Sequence, residues 1–359
     1  MTQECIYIAG PECFYTGGVN HLNAMRRLAE ANGFSVSLPN DAPLQLNHAD
    51  LRKNADAIFQ NCANSINRST AILCDLEFYR GPEADAGSVF EIGMAYARGI
   101  ACYGYTRDKR DMKWKYQGLE LKGGLPYDRK GRVLPYWDLP FSPNVVGSTK
   151  IVEGGFADCL KLFQTDLEEA RKRGAAGAAT PPEAQPSAGK GAPRVYLAGQ
   201  ERYDGDAEQR YAMMKRFCGT FGYAVVTPMD GVARDECEDP YARAYRTLKR
   251  NQRHVRDCDI IVANLNDFHN WEPESDTAFE CGMACQFGKR MYGYMDNTVR
   301  MRERVPNLGE EHGWKDICGC NVENFDYPLN LMFSSSMRIF EGSFENAIVQ
   351  IDRDIKLAD

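Results

Sequence analysis

The segment Pro82–Ala95, PEADAGSVFEIGMA, returns further along the chain as Trp271–Ala284, WEPESDTAFECGMA. An offset of 189 residues carries Glu91 onto Glu280, and the same offset carries Ile6 onto Val195 and Gly10 onto Gly199. It also carries Gly33 onto Gly222, Pro39 onto Pro228 and Tyr103 onto Tyr292. A register held without gaps over roughly a hundred residues marks a duplicated domain. The 359 residues therefore have to build one architecture twice. Each copy is long enough to bury a core of its own.

Boundaries follow from composition. The stretch Gly174–Pro193, GAAGAATPPEAQPSAGKGAP, has no aromatic or branched aliphatic residue and cannot bury apolar surface. It is expected to be a flexible linker between copy one, residues 1–173, and copy two, residues 194–359. A coil of about 20 residues reaches on the order of 25 Å, enough for an internal pseudo-dimer. A higher homo-oligomer is left open.

Within each copy, short apolar runs alternate with helical patterns. Copy one reads as strands at Cys5–Ala9, Ser35–Leu38, Thr70–Asp75 and Ala101–Tyr105. Between them lie helices at Val19–Asn32, Ala49–Ile66 and Ser88–Arg98, and a last helix at Gly154–Arg171. Copy two repeats the series and closes with a helix at Ser343–Ile355. Continuous apolar strands separated by helices imply α/β domains whose parallel sheets are covered on both faces. Two tandem flavodoxin-like, doubly wound domains are expected, each with a five-stranded parallel sheet and a ligand site beyond the carboxyl ends of its strands. The long stretches Arg107–Pro143 and Asn297–Pro328 are expected to act as lids or interfaces.

The formal charge of −7 offers no basic surface for a polyanion, so nucleic acid is not an expected partner. No apolar run reaches the roughly 18–20 residues that span a bilayer, and the start lacks a basic-then-apolar leader. A cytoplasmic location without a membrane partner is expected. Thirteen cysteines without a CxxC pair and five histidines without ligand spacing point to free thiols and no metal site. Neither first turn carries GxGxxG, which sets a dinucleotide-dependent oxidoreductase aside, and no cofactor is expected.

The chemistry concentrates in the repeated motif. Asp85 and Glu91 stand six residues apart, as do Glu274 and Glu280. Ser88-Val89-Phe90-Glu91 and Thr277-Ala278-Phe279-Glu280 both fit the S/T-x-x-E capping box, so a purely structural role for each glutamate has to be weighed. Asp85 likewise fits a turn residue before a helix. A pair of carboxyl groups at a ligand edge also suits glycosidic-bond chemistry, one attacking the anomeric carbon and the other protonating the leaving group. Asp85, between Ala84 and Ala86, is placed to have its pKa raised by desolvation.

Together, Ile6-Tyr7-Ile8-Ala9-Gly10-Pro11, Cys74-Asp75-Leu76 and Arg80 to Gly93 resemble the nucleoside 2-deoxyribosyltransferases, and copy two resembles them from Val195 to Met332. The resemblance implies that Glu91 and Glu280 attack C1′ of a 2′-deoxynucleoside and that Asp85, with Glu274 in copy two, handles the base proton. It further implies substrate contacts from Tyr7, Gly10, Tyr196 and Gly199. Asn330 matches an asparagine that family members insert into a neighbouring site to hold the sugar, with Asn144 as its counterpart in copy one. Asn251 matches a base-contacting residue.

The implied substrates are 2′-deoxynucleosides and free nucleobases, exchanged in nucleoside salvage through a covalent glutamyl-deoxyribosyl intermediate. An N-glycoside hydrolase and a non-catalytic nucleoside sensor are the alternatives. Hydrolases of this fold that need a 5′-phosphate carry arginine and serine in the first loop, whereas here that loop is Pro11-Glu12-Cys13-Phe14-Tyr15-Thr16-Gly17-Gly18, with an acid and no arginine, and copy two offers Arg202 only beside Glu201 and Asp204. Copy two departs from the family at Glu274 and Asp276, and copy one at Cys62. Two composite and unequal sites are therefore expected. The stronger one joins Tyr7, Asp85 and Glu91 to Asn330. In the weaker one, Asp276 is expected to raise the pKa of Glu280.

Overall fold

Runs such as Ala71-Ile72-Leu73-Cys74 are apolar on both faces, so the strand they form is stable only inside a sheet covered on each side. In the computed structural model, which describes residues 4–358 apart from 40, 42, 43, 45, 117, 130, 135, 174–190, 233–238 and 270, this is the central strand of a parallel sheet. The linker expected over 174–193 lies outside the described residues as far as 190.

Copy one contributes β1 (Cys5–Ala9), α1 (Gly18–Ala31), β2 (Ser35–Ser37), α2 (Leu51–Arg68), β3 (Ala71–Asp75), α3 (Ala86–Arg98), β4 (Ala101–Thr106), α4 (Pro143–Ser148), β5 (Thr149–Glu153) and α5 (Phe156–Lys172). Copy two contributes β6 (Arg194–Ala198), α6 (Ala207–Gly219), β7 (Ala224–Val226), α7 (Pro240–Asp257), β8 (Ile260–Asn264), α8 (Ser275–Gln286), β9 (Arg290–Met295), α9 (Leu331–Ser334), β10 (Arg338–Glu341) and α10 (Phe344–Ala358).

The sheets run β2-β1-β3-β4-β5 and β7-β6-β8-β9-β10, all parallel, which is flavodoxin-like order in both copies. Ile6 pairs with Ala71 and, in the second sheet, Val195 pairs with Ile260, so the repeat offset is kept in the register. Each sheet has its own core on the face covered by its first and last helices. Ile6, Ile8, Leu73, Leu22 and Phe163 lie in one core, and Val195, Leu197, Val262, Tyr211 and Ile351 in the other.

The described residues form two compact units that do not follow the copies. The first unit takes in Met1–Lys109, Thr149–Glu183 and Val299–Ser336, and the second takes in Arg110–Ser148, Ala184–Thr298 and Met337–Asp359. Each unit is thus completed by the long segment of the other copy. In the first unit, Arg80 pairs with Asp316 at 2.8 Å, both side chains buried, and Asn321 N–H donates to the Phe14 carbonyl. In the second, Arg132 donates to the Phe268 carbonyl at 3.0 Å and Val133 N–H to the Tyr203 carbonyl.

Candidate active site

The helix carrying the repeated motif starts earlier than the capping-box pattern suggests. Asp85 is the N-cap of α3, its Oδ2 accepting from Ser88 N–H at 2.7 Å and Ser88 Oγ at 2.6 Å. Glu274 caps α8 in the same way, accepting from the amides of Asp276 and Thr277. Glu91 and Glu280 consequently sit in the second turn, not at N3, and neither caps its helix. The first carboxyl of each pair satisfies the orphan amides of the helix start. The second is free for other work.

In the first unit, Glu91 lies among Tyr7 of β1, Cys62 of α2 and Asp85. Tyr7 Oη donates to Glu91 Oε1 at 2.5 Å. Burial pushes the Glu91 carboxyl up to about 8; the Tyr7 and Cys62 hydrogen bonds pull it down and the charge of Asp85 pushes it up. Asp85 is also raised, by burial first, while its bonds to Ser88 and the charge of Arg80 oppose the shift. Its Oδ1 is buried without a hydrogen-bond partner.

Both carboxyls line a cavity of about 380 Å³. Gly10, Cys13, Cys62, Gly87 and Ser88 from copy one line it, together with Glu323 and Asn330 from copy two. The other walls are largely apolar, among them Phe14, Leu46, Ile58, Phe325 and Met332. Asn330 caps α9 through Oδ1, which accepts from Met332 N–H at 2.9 Å, and its side chain packs on Gly87. A Cβ at Gly87 would stand 2.6 Å from Asn330 Nδ2, so only glycine leaves this asparagine its place. The carboxyl groups lining the cavity are those of Asp85, Glu91 and Glu323, and no lysine or arginine is among its described walls.

Gly10 has a second task. A Cβ there would meet Glu12 Oε2 at 2.0 Å. Beneath the site, Glu12 Oε1 accepts from Tyr105 Oη at 2.6 Å, and Asp75 beside it is pushed up to about 8 by burial and then by the charge of Glu12. In copy two Asn264 replaces Asp75, and its Nδ2 donates to Glu201 at 2.6 Å while Tyr294 Oη donates to the same oxygen. Asp75 stands where copy two has an amide donor, so a proton kept on Asp75 would offer Glu12 the same kind of partner.

In the second unit, the residues equivalent to the first site are brought together around an arginine. Arg202 Nη1 donates to Glu280 Oε1 at 2.9 Å and Nη2 to Oε2 at 2.6 Å, a bidentate pair with both side chains buried. Arg202 also lies 3.8 Å from Asp276 and 4.0 Å from Glu274. Asn251 Nδ2 donates to Glu280 Oε1 at 3.0 Å and Asn144 Nδ2 to the same atom at 3.4 Å. Asn251 Nδ2 also donates to Asn144 Oδ1 at 3.3 Å, so the residue that the resemblance sets against the base is held beside the glutamate. Tyr196 is buried nearby without a partner of hydrogen-bond geometry, and Glu274 accepts from Tyr203 Oη. Gly199, like Gly10, makes room for the glutamate two residues on.

Asp276 and Glu280 still repel each other, the charge of Glu280 being one of those that raise Asp276, but Arg202 stands beside both. Burial and then the charge of Glu274 push the Asp276 carboxyl well up, and Arg202 is the immediate neighbour of Glu280. Arg202 is not among the site residues that the sequence pattern or the resemblance singles out. The signal that finds it is the repeat itself, because the offset that joins the two glutamates sets Arg202 opposite Cys13.

The sequence matches the nucleoside 2-deoxyribosyltransferase family over residues 6–135 and again over residues 195–332. No protein with a curated function matches it. Among solved structures, it is similar to a 2-desoxiribosyltransferase from Leishmania mexicana, with 28% identity over 45% of this chain and 97% of that one, at a TM-score of 0.37. A 2-deoxyribosyltransferase from Bacillus psychrosaccharolyticus shares 15% identity over 44% of this chain and 90% of that one, at a TM-score of 0.30. A conserved protein from Enterococcus faecalis V583 shares 14% over 46% of this chain and 99% of that one, at a TM-score of 0.31. With both family matches falling on the two copies, and one flavodoxin-like sheet in each, the chain belongs to the nucleoside 2-deoxyribosyltransferase family as a tandem duplication.

Proposed function

We propose that the first unit transfers 2-deoxyribose between nucleobases by a retaining, two-step displacement on Glu91. The observation that carries this reading is the pairing of Glu91, hydrogen-bonded by Tyr7, with an Asp85 whose Oδ1 is unpartnered, both facing one cavity.

In the first step the Glu91 carboxylate bonds to C1′ and the bond from C1′ to the base nitrogen breaks. Its electron pair stays with the base, which takes the proton of Asp85. In the second step the nitrogen of an acceptor base attacks C1′, the glutamyl ester breaks to give back the carboxylate, and the acceptor's proton goes to Asp85. One of the two carboxyls must therefore be ionised while the other is protonated. Their mutual repulsion and common burial favour a single charge shared between them. The hydrogen bond from Tyr7 favours the anion of Glu91. Asn330, fixed by its cap and by its packing on Gly87, is the residue we assign to the sugar.

Three carboxyl groups on the cavity wall disfavour a 5′-phosphate, so the substrates are uncharged 2′-deoxynucleosides and free bases. The test is incubation with deoxyinosine, with and without adenine. Transfer gives deoxyadenosine and hypoxanthine only when adenine is present. Hypoxanthine released at the same rate without adenine, together with free deoxyribose, would make the protein a hydrolase instead.

A further inference from the structure

The second unit keeps the glutamate but changes what stands in front of it. Cys13, on the cavity wall of the first unit, is replaced by Arg202, whose guanidinium takes both oxygens of Glu280. Gly87, which leaves space for Asn330, is replaced by Asp276, whose Oδ1 accepts from the backbone N–H of Asn144 at 2.9 Å. Cys62 is replaced by Asn251, which adds a further donor to Glu280. The helix bearing the asparagine has changed as well. Three residues after Asn330 comes Phe333, packed edge-on against Phe90 at 5.3 Å; three residues after Asn144 comes Gly147. A Cβ at Gly147 would stand 3.0 Å from the Ala244 carbonyl, so α4 lies directly against the backbone of α7.

These substitutions form one pattern. A nucleophile needs an oxygen facing its substrate, whereas both oxygens of Glu280 are occupied and its side chain is fully buried. A buried bidentate guanidinium–carboxylate pair is also strong in a way a surface pair is not, because removing either partner strands the other charge. We propose that Arg202 has converted the second site into a closed ionic clamp that fastens the Arg110–Ser148 segment into its unit, leaving one working nucleoside site per chain. The proposal rests on the transfer reading for its count of sites, but not for the clamp itself.

Two measurements on the full chain test it. The first is intact-protein and peptide mass after reaction with a 2-fluoro-2-deoxy nucleoside, which traps the glycosyl ester. One sugar per chain, on the peptide containing Glu91, is expected; two sugars, or a sugar on Glu280, would overturn the proposal. The second is a thermal-unfolding cycle with Arg202→Met, Glu280→Met and the double variant. Each single variant should lower the Tm by several degrees and the double variant should recover most of the loss; additive losses would overturn the clamp. If a single variant does not accumulate as folded protein while the double variant does, that outcome is the same coupling in its extreme form. No sugar on any peptide and no base exchange would sink the transfer reading, with the unfolding cycle still deciding the clamp.

Discussion

Glu91 and Glu280 occupy the same turn of the same helix, each six residues after an N-capping acid, yet they differ in what burial has done to them. Around Glu91 burial is answered only by a phenol and a thiol, so the carboxyl is pushed up to about 8 and faces a cavity. Around Glu280 burial is answered by a full positive charge and two amides. In the proposed reading, the first environment keeps a carboxylate reactive by under-solvating it, and the second trades reactivity for cohesion. The positive charge comes from one residue of the first loop, where Arg202 stands in place of Cys13. A motif repeated in both halves therefore does not predict equal surroundings for its glutamate.

The sharpest way to break this contrast is to remove each glutamate. Glu91→Ala should lower base exchange by about four orders of magnitude or more, with little change in Tm. Glu280→Ala should leave exchange within about twofold and instead cost about 3–5 kcal/mol of stability, because Arg202 is left buried and unpaired. Exchange assays alongside urea unfolding decide it, and greater damage to activity from Glu280→Ala would mean that the working half has been misassigned.

A smaller loss, about 10²–10⁴-fold in kcat, is expected for Asp85→Asn. The deficit should shrink for substrates whose base leaves readily without a proton. Carrying the arginine back, Cys13→Arg should impose the second unit's arrangement on the first. At least about a hundredfold loss of kcat/KM should follow from obstruction of the nucleophile. Full activity in that variant would show that the guanidinium alone does not close a site.

The pH dependence sharpens the comparison further. Exchange needs the anion of Glu91, so kcat/KM should rise with pH through about 8 and fall again as Asp85 loses its proton. Tyr7→Phe removes a hydrogen bond that lowers the Glu91 pKa, so the rising limb should move to higher pH. A shift of one unit would be worth about tenfold at neutral pH. An unmoved limb would separate Tyr7 from the titrating group.

The smallest effect is on stability. Asp75, raised from the usual 3.8 to about 8, is protonated in the folded chain at pH values where the unfolded chain has lost the proton. Its contribution is full below the unfolded pKa and fades as pH rises through the folded one. Asp75→Asn copies Asn264 and should remove that dependence, gaining on the order of 1–3 kcal/mol over the parent at alkaline pH. Equal stability of the two proteins from pH 5 to 9 would rule out a proton kept on Asp75.

Much of this was legible from the residues because strong patterns were repeated. The apolar runs at Ile6 and Ala71 leave little choice but buried parallel strands, and the offset between copies doubles every signal. The fifth strands escaped, and their sequences show why. Thr149-Lys150-Ile151-Val152-Glu153 and Arg338-Ile339-Phe340-Glu341 are short edge strands with exposed charged residues, without the continuous apolar run of a central strand. The start of α3 was misplaced because Ser88-x-x-Glu91 imitates a capping box while the actual cap, Asp85, lies three residues earlier. Arg202 escaped for a different reason. Its partner lies 78 residues away, and only the fold shows that the first loop reaches the helix of Glu280.

The exchange of segments also sets an order of assembly. Asn330 and Glu323 reach the cavity of Glu91 from the last tenth or so of the chain, long after the strands of copy one have been synthesised. A nascent copy one can pair its sheet while its cavity still lacks a wall, and the apolar faces of Phe90 and Ile58 wait uncovered for Phe333 and Met332. Domains generally fold as units in the order they emerge; here the first unit includes Val299–Ser336 and is complete only once the chain is nearly finished. A chain severed in the linker would yield two halves, each with its sheet and neither with its site. Separate expression of the halves is thus a complementation experiment in which activity returns only on mixing.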